Sequence, residues 1–408
     1  MFVILLSTMP WSWFAGLRKL GMTRLEATLA ALCVHSIHSW RKFGLELDAF
    51  QEYGIFTQAY GMAIFPLAVG FLYQYVLYGS GSRNGTVLLV VLNFTAHTFF
   101  GIYLGVVTAV VVLIDLFSNP LPFKTKLSSP SIWRAAYVHV TSVFLMAWWI
   151  LPLLINIRYV GGLPWKNDSE NGYKIEFVIR NLLSGEMFDH GRKLPFITMG
   201  FLAGLSCVCL TYRRNEEDDH RKKRQTLYVW LGTIFSVTII LFLGRTTLGA
   251  LYDLIPFHKE IEVLRYLNGI HFCGLLLMAV SFARILCFLC ATFCRMSKSF
   301  FKSHYILLAV MLVIPPVYLS SQLQQINSLL TLTDTHDSLE GLKDMTSYPS
   351  NGRVLAQKVL GELIFALFYF EFLLLFCFLK CNFLRAVYLN KRSPNTALVS
   401  HNTDSKCN

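Results

Sequence analysis

The chain has 408 residues, of which 54% are hydrophobic and 15% charged, and its mean hydropathy is +0.50. Soluble domains carry about 25% charged residues, so this composition excludes a soluble globular protein and predicts a membrane protein. The formal charge of +12 does not indicate a nucleic-acid partner, because Lys and Arg concentrate in loops and in the C-terminal tail, as they do in membrane proteins.

Apolar stretches recur along the chain, and a membrane-spanning helix needs about 20 such residues. The N-terminal run 1–20 is typical of the end of a membrane helix, and residues 23–39 predict a weaker second helix. Residues 86–117 are too long for one ordinary span and predict either one tilted helix or two short helices broken near Gly101 and Gly105. Further spans are predicted at 57–78, 133–155, 195–212, 227–244, 266–294, 304–320 and 360–380.

These segments predict an all-α fold, a polytopic transmembrane helical bundle of about 8–10 spans. The short alternating segments of transmembrane strands are absent from the sequence. We divide the chain into a polytopic membrane domain (1–356), a terminal transmembrane helix (357–380) and a polar cytosolic tail (381–408). The expected location is integral to a membrane, that of the endoplasmic reticulum or another endomembrane in a eukaryote and the plasma membrane otherwise.

Basic residues in short loops orient the spans. Loop 213–226 is predicted to be cytosolic because it contains Arg213, Arg214, Arg221, Lys222, Lys223 and Arg224. Loops 156–194, 245–262 and 321–359 then lie on the opposite side. The sequon Asn167-Asp168-Ser169 falls in the first of these loops, which predicts glycosylation at Asn167.

Polar side chains concentrate in the stretch 244–272, between two apolar segments. Gly249 and Pro256 argue against one continuous helix and predict a short re-entrant or interfacial segment, followed by a helix that begins near Lys259. On that helix Arg265, Asn268 and His271 recur every three residues and share one face. Glu262 precedes Arg265 by three residues and can form an ion pair with it.

Two interpretations of this stretch stay open. In the structural one, an internal ion pair holds two helices together. In the functional one, the polar groups bind an anionic headgroup such as a lipid phosphate, because the planar fork of arginine binds phosphate oxygens in pairs. The candidate substrate-binding residues are then Arg245, His258, Glu262, Arg265, Asn268 and His271.

Other polar residues at membrane depth are sparse. His97 lies within the apolar segment NFTAHTFFG, where a lone histidine is more often a packing residue than a proton relay. Glu46, Asp48 and Glu52 precede the span at 57–78. They form either a solvated helix face or an acidic catalytic entrance, and they are the candidates for a catalytic base.

The ten cysteines lie mostly inside apolar segments and lack zinc-ligand spacing with histidines. We therefore expect neither a metal site nor a disulfide framework. No cofactor motif is evident, and nothing in the sequence supports a divalent cation.

The segment IPFHKEIEVLRYLNGIHFCGLLLMAVSFA resembles the membrane-protein family named for a 6-pyruvoyl-tetrahydropterin synthase-related domain. The same resemblance extends to WSWFAGLRKLGMTRLEATLAAL, FGLELDAFQEYGIFTQAYGMAIFPLA, NFTAHTFFG and SNGRVLAQ. The resemblance rests on the order of these segments over residues 10–356. That family is similar to the GT-C glycosyltransferases, so the resemblance implies a GT-C-like fold.

The resemblance implies transfer of a sugar from a polyprenyl-phosphate donor on the non-cytosolic face, by an inverting GT-C-type enzyme if the protein is active. Arg265 matches the family's arginine at the start of a span, where the donor phosphate would sit. His97 matches a histidine-containing helix and joins the substrate-binding candidates. The implied partners are membrane lipid and a polyprenyl-phosphate sugar, with no nucleic acid and no identified protein partner.

The chain departs from the family at both ends. GT-C enzymes carry their acidic base in the first large non-cytosolic loop, and this chain is expected to begin after that region. SNGRVLAQ is followed by a hydrophobic span where the relatives have an extramembrane domain. A truncated chain leaves two alternatives to an enzyme: a transporter or channel for a small polar solute, and a non-catalytic membrane scaffold. The lack of a convincing internal repeat counts against the transporter.

Overall fold

The computed structural model describes residues 2–41, 43–46, 56–118, 128–156, 172–212, 219–255, 258 and 261–297. The α-helices in these ranges are α1 (Phe2–Leu20), α2 (Arg24–Cys33), α3 (Phe56–Tyr78), α4 (Arg83–Ala96), α5 (Thr98–Ser118), α6 (Pro130–Leu145), α7 (Ala147–Ile155), α8 (Ile175–Ser184), α9 (Phe196–Tyr212), α10 (Asp219–Leu248) and α11 (Leu267–Ser297). Short 3-10 helices follow α2 and α10 and precede α11, at Val34–Ser36, Gly249–Leu254 and Val263–Tyr266.

The described part of the chain contains four helices that are long and apolar enough to cross a membrane. They cover Thr57–Tyr78, Thr98–Ser118, Arg221–Leu254 and Val263–Leu289, and the apolar helix Phe196–Thr211 is shorter. The all-helical membrane character predicted from composition is therefore supported. The estimate of about 8–10 spans is not reached in these residues. The predicted spans 304–320 and 360–380, with the proposed divisions 357–380 and 381–408, lie outside the described residues.

The apolar stretch 86–117 forms two helices, and they separate at His97. The backbone of His97 is extended (φ −159°, ψ 115°), and its N–H still bonds to the carbonyl of Asn93. The break therefore lies earlier in the chain than Gly101 and Gly105, the two positions near which the sequence predicted it. Gly101 has a different function: a Cβ there would lie 2.0 Å from the ring of Phe94, so glycine lets α4 and α5 pack closely beside the break.

The predicted span 133–155 is also interrupted. Met146 has φ −97° and ψ 3° and separates α6 from α7. At 1.5 Å per residue, the 16 residues of α6 cover about 24 Å, which is less than the hydrocarbon thickness of a bilayer. Breaks at single residues thus explain why continuous apolar stretches yield fewer full-length spans than their lengths suggest.

Helices α10 and α11 run in opposite directions through the core. The ring of Tyr228, early in α10, lies under the guanidinium of Arg284, late in α11. Farther along, a Cβ at Gly269 would lie 2.8 Å from the side chain of Thr238. We call the end of the bundle where α10 begins the basic end, because Arg221 to Arg224 lie there. The start of α11 lies at the opposite end.

The first half of α11 forms the centre of the bundle. Every residue from Tyr266 to Val280 is buried. Aromatic rings from three helices meet there, since Phe272 packs 5.5 Å from Trp13 of α1 and 5.0 Å from Phe65 of α3. A helix that is buried all round normally carries apolar residues only. Asn268 and His271 break this pattern, so their partners determine what they do.

Candidate functional site

The 244–272 stretch begins with a change of backbone direction. Gly244, within α10, has φ 60° and ψ −160°, a left-handed φ that favours glycine. Gly249 also has a positive φ, at 57°. The predicted interruption of the helix is present as the 3-10 helix Gly249–Leu254. The helix expected near Lys259 begins later, with the 3-10 turn Val263–Tyr266 followed by α11.

Arg265 lies in this 3-10 turn and contacts three other elements of the site. Its Nη1 donates to the Gln58 side-chain oxygen of α3 at 2.6 Å, and its Nε lies 3.8 Å from a carboxylate oxygen of Glu262. The predicted Glu262–Arg265 ion pair is thereby confirmed. The guanidinium also lies over the ring of Phe43, 5.3 Å from its centroid. The Arg265 side chain remains 23% exposed, so it is not fully enclosed.

Asn268, one turn further along, binds neighbouring segments through both polar atoms of its side chain. Its amide nitrogen donates to the carbonyls of Phe43 and Arg265, both at 3.0 Å. Its side-chain oxygen accepts from the Gln58 amide at 3.2 Å. Gln58 in turn donates to the carbonyl of Gly44 at 2.6 Å. Asn268 therefore fastens residues 43–44 to the start of α11.

His271 is fully buried and joins two further segments. Its Nδ1 accepts from the Leu45 backbone N–H at 3.1 Å, and its Nε2 faces the Met187 carbonyl at 2.7 Å. This arrangement fits the neutral tautomer with the proton on Nε2. The burial of His271 and Asn268 argues against their lining an open cleft and favours the structural interpretation for these two residues.

Glu46 lies close to His271, but its side chain is fully buried. Its carboxylate accepts from the Ser39 hydroxyl, and Glu46 Oε1 lies 3.8 Å from Nδ1 of His271, with both side chains 0% exposed. A general base must reach the proton that it removes, so this burial counts against Glu46 in that role. The other candidates for the base, Asp48 and Glu52, lie outside the described residues.

His97 lies within electrostatic range of Arg265. Its imidazole packs against the ring of Phe100, with centroids 5.6 Å apart. The Nδ1 atom is buried, and no hydrogen-bond partner for it is found among the described residues. Burying an imidazole nitrogen without a partner costs free energy. Packing alone does not explain a buried, unpartnered nitrogen within electrostatic range of a partly exposed arginine.

Arg245, Asp253 and His258 form a second group at the same end of the bundle. Arg245 Nη2 lies 3.1 Å from Asp253 Oδ2, and His258 Nε2 lies 3.5 Å from Asp253 Oδ1. The 54% exposure of the Arg245 side chain means that this pair contributes little stability. Arg245 and His258 were predicted as ligand residues, and Asp253 balances the charge of Arg245.

Two residues of the site were not singled out from the sequence. Gln58 binds Arg265, Asn268 and the 43–44 backbone, and Phe43 lies under the Arg265 guanidinium. Gln58 is a polar residue in the first turn of an apolar span, which is the signal that could have identified it. Asn167, the predicted glycosylation site, lies outside the described residues. The described residues contain no group of three His, Cys, Asp or Glu side chains that could hold a metal ion.

Comparison with protein-family models, with curated proteins and with solved structures finds no match to this chain. The family resemblance and the activity that it implies therefore stay predictions. The site itself must carry any functional argument.

Proposed function

We propose that this chain is an integral membrane protein that binds a phosphate-bearing lipid headgroup through Arg265. The preferred ligand is a polyprenyl-phosphate sugar, in line with the resemblance to GT-C glycosyltransferases. The observation that carries the proposal is a partly exposed Arg265 side chain within electrostatic range of His97, whose buried Nδ1 has no hydrogen-bond partner among the described residues.

Two features of the site support this choice of ligand. Arginine has five N–H donors in a planar fork, and the hydrogen bond to Gln58 uses Nη1, so other donors are available to phosphate oxygens. The Glu262 oxygen is 3.8 Å from Nε, which is longer than a charge-assisted hydrogen bond of about 2.8 Å.

A binding measurement with a matched control tests the proposal. Purified protein in detergent is titrated with a polyprenyl-phosphate sugar and the complex is quantified by native mass spectrometry. Arg265→Ala should raise Kd by about 10- to 100-fold, because a hydrogen bond to a charged group contributes about 1.5–3 kcal/mol. Arg265→Lys retains the charge but not the fork and should give an intermediate Kd.

The control is Arg180→Ala, which removes an exposed arginine from α8 and should leave Kd unchanged. Each variant is accepted only if it elutes as a single species on size exclusion. Headgroup binding with the wild-type Kd in a folded Arg265→Ala protein would refute the assigned role of Arg265.

A non-catalytic membrane scaffold is the second candidate, and the complete burial of Glu46 favours it. Incubation with a radiolabelled lipid-linked sugar separates the two. Binding together with release or transfer of the sugar supports an enzyme, whereas binding without turnover supports the scaffold. Uptake of a polar solute into liposomes that contain the protein would instead favour a transporter.

A further inference from the structure

A second candidate site lies at the basic end of the bundle, on the other side of the molecule from Arg265. A cavity of about 680 Å³ is present there between the start of α2, the end of α9, the start of α10 and the end of α11. Its polar walls include Arg221, Arg224, Arg284, Glu26 and Tyr228. Nothing in the proposed function uses these residues.

The charge of the cavity wall is positive. Three arginines and one glutamate leave two formal positive charges. Glu26 is 1% exposed and is already held by Arg224 and by the Tyr228 hydroxyl at 3.2 Å. It also closes the N-terminus of α2, because its carboxylate accepts from the Thr23 backbone N–H at 2.8 Å. Glu26 therefore balances Arg224, and Arg284 supplies positive charge that Glu26 does not balance.

Arg284 is held in place by neutral groups. Its Nη2 donates to the Thr211 hydroxyl at 2.8 Å and its Nη1 to the Cys207 carbonyl at 3.3 Å. In the described part of the chain no carboxylate is found within ion-pair distance of it. The residue lies within the apolar span Val263–Leu289, where a charged side chain is costly and usually faces a cavity or a polar partner.

Two guanidinium groups converge on one aromatic ring in this cavity. The Arg224 guanidinium lies 5.5 Å from the centroid of Tyr228, and the Arg284 guanidinium lies 5.4 Å from it. Glu26 already neutralises Arg224, whereas Arg284 bonds only to neutral groups among the described residues. An anion bound beside Arg284 would supply a counter-charge in this medium of low dielectric constant, and the fixed forks suit the oxygens of a phosphate.

Apolar surface leads away from the cavity. Leu210 lines it and is 64% exposed, and Phe288, next to the lining residue Cys287, is 70% exposed. In a membrane protein such side chains contact lipid tails. A ligand with a phosphate group and hydrocarbon chains would place its phosphate among the arginines of the cavity and its chains against the exposed apolar side chains. Basic pockets between spans are a known way of holding anionic lipid headgroups.

We propose that this cavity binds the phosphate group of an anionic phospholipid from the leaflet at the basic end. The phospholipid would be held by Arg221, Arg224 and Arg284, with its chains against Leu210 and Phe288. This site is independent of the one around Arg265, so either proposal can fail while the other stands.

The test uses delipidated full-length protein in detergent. It is titrated separately with phosphatidic acid, with diacylglycerol, which has the same chains and no phosphate, and with inorganic phosphate. Bound ligand is counted by native mass spectrometry. Saturable binding of one phosphatidic acid molecule, with much weaker binding of diacylglycerol and of inorganic phosphate, is the expected result. Equal affinity for inorganic phosphate would overturn the lipid assignment, and equal affinity for diacylglycerol would overturn the phosphate assignment.

Variants locate the binding site. Arg284→Gln and Arg221→Gln should each weaken phosphatidic acid binding about tenfold or more, since each removes a charge-assisted contact. Arg180→Gln, the same change at an exposed residue outside the cavity, should have no effect. Arg221 is exposed, so its variant keeps the test valid if Arg284→Gln fails to fold. Wild-type affinity in a folded Arg221→Gln protein, or an equal loss in Arg180→Gln, would overturn the proposal.

Discussion

The packing of α9 against α11 gives a sharp prediction for Gly204. A Cβ at this position would lie 1.9 Å from the carbonyl oxygen of Leu277 and 2.4 Å from its carbon. Close carbon–oxygen contacts between helices are about 3.3 Å, so Gly204→Ala must separate the two backbones by roughly 1.4 Å at this point. A backbone atom cannot rotate away as a flexible side chain can. Small residues allow membrane helices to approach this closely.

The expected cost combines two opposing terms. Overpacking of a tight interface costs about 1–3 kcal/mol, and alanine in place of glycine returns up to about 1 kcal/mol of helix propensity. We therefore expect Gly204→Ala to lower the free energy of unfolding by about 1–2 kcal/mol. Gly105 of α5 is the matched control, because a Cβ at that position would have no atom within 4 Å. Gly105→Ala should leave stability unchanged or raise it by up to about 1 kcal/mol.

The assay is unfolding in mixed micelles by increasing the fraction of sodium dodecyl sulfate, followed by tryptophan fluorescence. The chain has eight tryptophans, which provide the signal. Gly204→Ala should unfold at a lower fraction of the denaturing detergent than the wild type, and Gly105→Ala should not. Equal stability of the two variants would refute the inference that α9 and α11 are in backbone contact.

Two further predictions concern buried side chains. Burial raises the pKa of the Cys33 thiol to about 12, so at pH 8 this cysteine stays protonated. Maleimide labelling mapped by mass spectrometry should modify the exposed Cys209 in detergent, and it should modify Cys33 only after denaturation. Equal labelling rates for the two cysteines in the folded protein would contradict this prediction. His271→Phe leaves two buried backbone groups without their side-chain partner and should cost about 2–5 kcal/mol in the same unfolding assay. His190→Phe, at a 42% exposed side chain, should cost much less, and comparable losses would refute a special role for His271.

Local features of the candidate site could be predicted from the sequence. The ion pair between Glu262 and Arg265 depends on a separation of three residues, and the common face of Arg265, Asn268 and His271 depends on helical periodicity. Both signals lie within one segment. What those residues contact could not be predicted, because Leu45 and His271 are 226 positions apart along the chain. No local pattern encodes that pairing.

The same reasoning applies to the helix breaks. His97 and Met146 carry no glycine or proline signal, and glycine was the residue expected to break the stretch 86–117. Each of the two helices that meet at His97 is held by its own hydrogen bond to a neighbouring helix: Asn93 of α4 donates to the Gly61 carbonyl of α3 at 2.8 Å, and Thr108 of α5 bonds to His139 of α6 at 2.8 Å. Tertiary packing therefore overrides the preference of an apolar sequence for one long helix.

The sequence by itself determined that this is a helical membrane protein and which segment concentrates its polar groups. Hydrophobicity and helical periodicity are additive, local properties, so they can be read from the chain. The tertiary structure decided which of those polar groups are buried in contacts within the protein and which remain partly exposed to a ligand. Asn268, His271 and Glu46 are enclosed by distant segments, whereas the Arg265 side chain remains 23% exposed. It also decided that Arg224 and Arg284 meet on one ring, because burial and contact depend on which helices become neighbours.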